Sequence, residues 1–140
     1  MMQGYLLSIL YLSIGAAYLL ADEYGARMPV LLSLRYHFRT QRWVRLALII
    51  SGALLTLLLV FFPIAPGPVL LGDLLPCLNI LFLTLYYLHQ SLSGKGDRAE
   101  QPDSVIQATG EYVESNRRYV GYVTTVVALL HFLLPQLIIL

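Results

Sequence analysis

The chain has 140 residues, of which 58% are hydrophobic and only 12% charged, and its mean hydropathy is +0.71. An ordinary soluble domain is about 45–50% apolar and about 25% charged, so this composition excludes a typical water-soluble domain. The net charge of +1 says little, and the single cysteine, Cys77, excludes an intrachain disulfide or a multi-cysteine metal site. We predict no metal site and no cofactor.

Apolar residues fall into four blocks, at about residues 4–21, 43–62, 69–89 and 119–140. Each block is close to the roughly 20 residues that a helix needs to cross a hydrocarbon core about 30 Å thick. The sequence therefore predicts an all-α integral membrane protein, a bundle of four transmembrane helices that forms one membrane domain over residues 1–140. The first block lacks a preceding basic region, so we expect it to remain as a helix in the mature protein.

Basic residues predict the orientation of these helices. All nine Lys and Arg residues lie between residues 27 and 45 or between residues 95 and 118. Because basic residues near helix ends mark the cytoplasmic side, both long connections, 22–42 and 90–118, are predicted to be cytoplasmic. Both termini are then outside, and we expect the protein in the cytoplasmic (inner) membrane of a bacterium.

The first connection carries a basic amphipathic pattern from Pro29 onward. One face is apolar, with Val30, Leu31, Leu34 and Phe38, and a second face carries Arg35, Arg39 and Arg42. Such a helix lies at the membrane interface, where its arginines contact the headgroups of anionic lipids. Two other interpretations stay open: the arginines serve only to fix the orientation, or the helix docks a cytoplasmic partner.

The second connection begins with a polar linker, and helical periodicity resumes at Asp103 or Ser104, either of which can cap a helix. We predict a short amphipathic helix that runs on into the fourth span. Its charged residues are expected to form a solvated face with pairs three and four residues apart: Glu111, Glu114, Arg117 and Arg118.

Two blocks carry stripes of small and polar residues on one helical face. The first block has Gly4, Ser8, Tyr11, Gly15, Tyr18 and Asp22, and the fourth has Gly121, Thr124, Ala128, His131 and Pro135. Steps of three and four residues place each set on one side of its helix. In lipid, such faces pack on protein, so the stripes indicate a tight bundle, an oligomer interface or both.

A polar cluster is predicted near the middle of the membrane. Counting the 1.5 Å rise per residue places Asn79 and His131 at about the same depth, with Tyr11 close to that level. Asp73 lies above them at the outer rim. These four residues either form hydrogen bonds between helices or line a polar cavity for a substrate.

These features favour a non-enzymatic subunit of an oligomeric or multi-subunit membrane assembly. One alternative is an oligomeric small transporter or channel for an ion or polar solute, with the polar cluster as its constriction. A second is a lipid-modifying membrane enzyme. The expected partners are membrane lipids and either further copies of the chain or other membrane subunits, and no nucleic acid is expected.

Overall fold

The computed structural model describes residues 2–61, 74–93 and 104–133, with side chains described from residue 4 onward. Within these ranges the chain forms six helices and no strand, so the prediction of an all-α fold is confirmed. The helices are α1 (Met2–Tyr24), α2 (Pro29–Thr40), α3 (Arg42–Phe61), α4 (Leu74–Ser93), α5 (Ser104–Ser115) and α6 (Arg117–Leu133).

Two of these helices, Gly4–Tyr24 and Arg42–Phe61, are long and apolar enough to cross a membrane by length and composition. They correspond to the first and second predicted spans. The third and fourth predicted spans are described only in part, because residues 69–73 and 134–140 lie outside the described ranges. Within the described ranges, two of the four predicted transmembrane helices are therefore candidate spans by length and composition, and the four-span bundle is not confirmed.

The two short helices begin where the sequence predicts. The α2 helix starts at Pro29, whose fixed φ and missing N–H suit the first position of a helix. The α5 helix starts at Ser104 but does not run on into the fourth span. It ends in a turn at Asn116, whose backbone N–H and side-chain amide both donate to the carbonyl of Tyr112, at 3.0 and 3.1 Å.

Contacts between the long helices fix their relative directions. The α1 helix runs antiparallel to α6, since Tyr5 meets His131 at one end and Tyr24 meets Tyr122 at the other. Tyr24 and Tyr122 share a hydrogen bond of 2.7 Å. In the same way α3 and α4 are antiparallel.

Consequently the C-terminal ends of α1 and α4 lie at the same end of the molecule as the N-terminal ends of α3 and α6. We call this end of the molecule the basic end, because every arginine in the described ranges lies on a helix terminus, short helix or turn located there. The short helices also pack there, α2 on α1 and α3, and α5 on α4.

Hydroxyl groups on the apolar helices are satisfied locally. Five of them donate to the backbone carbonyl one turn earlier: Ser8, Ser13, Thr56, Thr84 and Thr125. This pattern removes the need for water around a hydroxyl group on an otherwise apolar helix. The long helices can therefore be surrounded by an apolar medium at these positions.

Large apolar side chains cover the outside of the long helices. Exposed examples are Leu6, Leu7 and Leu10 on α1, Ile50, Leu54 and Leu57 on α3, and Val126, Leu129 and Phe132 on α6. The buried core, by contrast, is rich in aromatic residues, with Tyr18, Phe38, Tyr86 and Tyr87 in mutual ring contact. An apolar exterior of this extent marks a surface made for lipid or for another protein.

Gly52 allows the closest approach between α3 and its neighbours. A methyl group at this position would overlap the hydroxyl groups of Thr84 on α4 and Tyr11 on α1. Those two hydroxyls also share a hydrogen bond of 3.0 Å. Three helices therefore meet at a point where only hydrogen fits on the α3 backbone.

We expect Gly52→Ala to destabilise the protein by about 1–3 kcal/mol through overpacking, despite the better helix propensity of alanine. The measurement is thermal unfolding of the full chain in detergent, followed by circular dichroism. Gly4→Ala is the matched control, because its methyl would meet only the flexible end of Leu58 at 3.3 Å. A melting temperature for Gly52→Ala at or above that of Gly4→Ala would contradict this account of the packing.

Candidate functional site

The most heavily bonded side chain at the basic end is Arg117, at the start of α6. Only 15% of this side chain is exposed. Its guanidinium lies 2.7 Å from the carboxylate of Asp22 on α1 and 3.2 Å from that of Glu114 on α5. It also donates to the hydroxyl of Tyr86 on α4, at 2.7 Å. One cation thus joins four helices.

The acceptors around Arg117 are themselves connected. The hydroxyl of Tyr86 donates to Glu114 at 3.0 Å and accepts from the side-chain amide of Gln90 at 2.7 Å. Gln90 in turn accepts a hydrogen bond from the hydroxyl of Tyr18 on α1, at 2.8 Å. The ring of Tyr18 lies 5.9 Å from the Arg117 guanidinium carbon, within cation–π range.

The α2 helix is attached to the same group of residues through Arg35, which forms an ion pair with Asp22. We call the set Asp22, Arg35, Tyr86, Gln90, Glu114 and Arg117 the Arg117 network. The spacing of charges in the sequence predicted Arg117 and Glu114 on a solvated face, and for Arg117 this prediction was wrong. Burial beside Tyr86 replaces water with protein acceptors, which a charged group at an apolar boundary requires.

A polar pocket lies beside the Arg117 network, with a volume of about 340 Å³. Residues of four helices line it. They are Arg39 of α2, Arg45 of α3, His89, Gln90 and Ser93 of α4, and Glu114 of α5. Gln90 and Glu114 therefore belong to both the network and the polar pocket.

Two buried nitrogens beside the polar pocket lack hydrogen-bond partners among the described residues. They are Nε of Arg45 and Nδ1 of His89. The other ring nitrogen of His89 lies 3.3 Å from the hydroxyl of Ser93. Gly110 of α5 covers the His89 ring so closely that a methyl group there would overlap it.

The three arginines predicted to contact lipid headgroups occupy different environments. Arg35 is drawn inward to Asp22, Arg39 lines the polar pocket, and Arg42 is exposed at the first position of α3. The α2 helix buries Phe38, so its inward face includes Arg35 as well as apolar side chains. Headgroup contact by Arg39 and Arg42 stays a prediction.

The residues of the predicted midmembrane cluster make separate cross-helix contacts. Tyr11 bonds to Thr84, and Asn79 accepts a hydrogen bond of 3.1 Å from Thr124 of α6. The ring of His131 packs against Tyr5 with ring centres 4.8 Å apart. His131 lies seven residues beyond Thr124, which is about 10 Å along α6, so Asn79 and His131 lie at different levels. Asp73 lies outside the described residues.

The two small-residue stripes face the interior of this chain. On α1, Ser8, Tyr11 and Tyr18 are buried, and Gly15 lies against Leu83 of α4. On α6, the buried members are Gly121, Thr124, Ala128 and His131, while Pro135 lies outside the described residues. The stripes are thus used for packing within one molecule, so they no longer indicate an oligomer interface.

Sequence reasoning did not identify the Arg117 network or the polar pocket. The strongest signal for the network was Asp22, which ends the buried stripe of α1 and therefore predicts a cationic partner. For the polar pocket the signal was Gly110, a glycine inside a helical pattern, which often marks a close approach. Neither signal names its partner, because Asp22 and Arg117 are 95 residues apart along the chain.

Charge and burial act in opposite directions on Glu114. Partial burial works to raise the pKa of this carboxyl group, but hydrogen bonds from Gln90 and Tyr86 and the positive charges of Arg117 and Arg39 outweigh it. The pKa of Glu114 therefore lies below its ordinary value, and the carboxylate is charged at neutral pH. This charge balances part of the charge of Arg117.

A family model matches residues 1–131, and the chain belongs to that family, whose function is unknown. No curated protein and no solved structure matches the chain.

The lowered pKa of Glu114 predicts how stability depends on pH. A depressed folded-state pKa contributes stability that is complete above the ordinary value of 4.5 and is lost as pH falls through the folded value. We expect Glu114→Gln to remove this part of the acid sensitivity, so that its melting temperature falls less than that of the native chain as the pH is lowered from 7 to about 3.

Glu111→Gln is the matched control, because Glu111 accepts only a local hydrogen bond from Gln107, at 2.9 Å. It should keep the native acid sensitivity. The interpretation fails if Glu114→Gln and Glu111→Gln change the pH profile equally.

Proposed function

We propose that this member of a family of unknown function is a non-enzymatic subunit of a membrane assembly, with four membrane-spanning helices. The observation that carries the proposal is the Arg117 network, which fixes the short helices α2 and α5 against the ends of α1, α4 and α6. Charged groups are used here to hold helices together at one end of the molecule. In this arrangement α2 and α5 are held in fixed positions at the face of the membrane.

Four spans are supported by the exposed apolar side chains of α1, α3, α4 and α6. The first residues of α3 and α6 add to this support. Trp43 is 83% exposed and Tyr119 is 71% exposed, both at the basic end. Exposed Trp and Tyr at one level are typical of a membrane–water interface, and neighbouring arginines are typical of its cytoplasmic side.

The packing at Tyr11 favours the structural role over the transport alternative. The hydroxyl of Tyr11 forms a hydrogen bond with Thr84. The backbone at Gly52 lies so close to both hydroxyls that no space remains for even a methyl group between the three helices. Asn79 is likewise engaged by Thr124. These contacts are the ones expected of polar groups that hold helices together in an apolar medium.

The short helices α2 and α5, which we together call the platform, each carry exposed apolar and aromatic side chains at the basic end. These are Val30 and Tyr36 on α2 and Val105 and Tyr112 on α5. Exposed tyrosines beside aliphatic residues are characteristic of protein interfaces. We therefore place the contact with a second copy of the chain or with another membrane subunit on the platform.

The predicted topology can be tested with reporter fusions. With both termini outside, alkaline phosphatase fused after Leu140 should be active and a fluorescent protein fused there should be dark. A fusion after Gly96, in the second connection, should give the reverse pattern. A fluorescent Leu140 fusion with inactive phosphatase would contradict the predicted orientation with both termini outside.

The platform can be tested by photo-cross-linking in cells, with a photoreactive amino acid in place of Tyr36 or Tyr112. We expect a discrete product of higher mass at one or both positions. Its yield at Tyr112 should fall in Arg117→Met, because Glu114 of α5 then loses its salt-bridge partner, whereas Asp22 keeps its ion pair with Arg35 of α2. The same amino acid at Leu54, on the exposed apolar face of α3, is the control and should give no discrete product.

The mass of the product separates a second copy from a different subunit. Equal yields at Tyr36, Tyr112 and Leu54, or a yield at Tyr112 unchanged by Arg117→Met, would contradict the proposed role of the platform. Arg118→Met is the matched variant, because Arg118 is 64% exposed and pairs with Glu23 alone among the described carboxylates. It should leave the yield unchanged.

A further inference from the structure

Charge at the basic end is unevenly distributed. The described ranges contain seven arginines and four carboxylate side chains. Arg117 pairs with both Asp22 and Glu114, and Arg35 pairs with Asp22. Arg118 pairs with Glu23. Arg39 and Arg45 form no salt bridge with any described carboxylate, although both line the polar pocket.

These two cations come from different helices and converge on one cavity. Glu114, the acidic residue of the polar pocket, is already engaged by Arg117 and by the hydroxyl of Tyr86. Nε of Arg45 is buried without a hydrogen-bond partner among the described residues, which is costly for a guanidinium donor. The polar pocket therefore has positive charge and an unused donor.

Donors of other types complete the polar pocket. The hydroxyl of Ser93 and the ring of His89 lie along one wall, beside Gln90, whose side-chain amide already donates to Tyr86 and Glu114. Guanidinium groups are strong partners of phosphate oxygens, and a hydroxyl group is a further donor. A volume of about 340 Å³ lies at the lower limit of small-molecule sites, which span about 300–1,000 Å³.

We propose that the polar pocket binds the phosphate group of an anionic phospholipid, with Arg39 and Arg45 as its principal contacts. The assignment to a lipid rests on the proposed membrane topology. Arg45 lies two residues after the exposed Trp43, and so close to the level at which headgroups are found. This set differs from the arginine face that the sequence predicted, because Arg45 enters it and neither Arg35 nor Arg42 lines the polar pocket.

The test is native mass spectrometry of the full chain in detergent, titrated with dioctanoyl phosphatidylglycerol. Dioctanoyl phosphatidylcholine and inorganic phosphate are titrated in parallel. We expect binding of phosphatidylglycerol, weaker binding of phosphatidylcholine, and a loss of about tenfold or more in Arg39→Gln and in Arg45→Gln. Arg45→Lys should lose less affinity than Arg45→Gln, since it keeps the charge.

Arg42→Gln is the matched control, because Arg42 is exposed at the same end of the molecule and does not line the polar pocket. It should bind phosphatidylglycerol as the native chain does. Equal losses in Arg42→Gln and Arg45→Gln would show a general basic surface and overturn the proposal. If none of the three probes binds, the proposal is also overturned.

Inorganic phosphate separates the two sources of the anion. If it binds with the same dependence on Arg39 and Arg45 and displaces phosphatidylglycerol, the lipid assignment is overturned in favour of a soluble phosphate. Melting temperatures of Arg39→Gln, whose side chain is exposed, and of Arg45→Gln establish that each variant is folded. The cross-linking experiment is independent of the polar pocket, so failure of lipid binding leaves the proposed subunit role to its own test.

Discussion

The fold at the basic end depends on the burial of one guanidinium group. Arg117 has lost most of its contact with solvent, and a charge removed from water is strongly unfavourable unless protein groups replace the lost hydration. Asp22, Tyr86 and Glu114 supply that replacement from three different helices. Their positions are therefore coupled, since displacement of any one leaves the guanidinium with a vacant donor.

In the rest of the molecule, polar groups lie on long apolar helices, where they need hydrogen-bond partners within the protein. Serine and threonine hydroxyls donate to carbonyls of their own helices, and the Tyr11–Thr84 and Asn79–Thr124 pairs connect neighbouring helices. Each such pair is worth only about 0.6–2 kcal/mol in a membrane. Close packing such as that at Gly52 therefore contributes to the association of the long helices alongside the hydrogen bonds.

The sequence predicted the helices well because apolar length and turn residues are local properties. Pro29 and Ser104 mark the starts of α2 and α5 by their own chemistry, and the stripe of α1 was correctly expected to pack on protein. The number of spans was less well determined, since only α1 and α3 pass as candidate spans within the described ranges.

Burial of Arg117 could not be predicted in this way. A Glu114–Arg117 pair three residues apart looks the same in sequence whether it faces water or a buried tyrosine. The same ambiguity affected Arg35, whose spacing placed it with Arg39 and Arg42, while its ion pair with Asp22 places it on the inward face of α2. In both cases the decisive partner is distant in sequence or lies on another helix.

Charge distribution connects the structural and the binding roles of the basic end. Asp22 and Glu114 together neutralise Arg35 and Arg117, so the Arg117 network carries no net charge and can be buried. The same pairing reduces the charge that Glu114 presents to Arg39 and Arg45, although all three line the polar pocket and the charge of Arg39 still acts on this carboxylate. The positive character of the polar pocket is therefore a consequence of the network beside it. Removing Arg117 would return the full charge of Glu114 to the polar pocket and weaken its attraction for any anion.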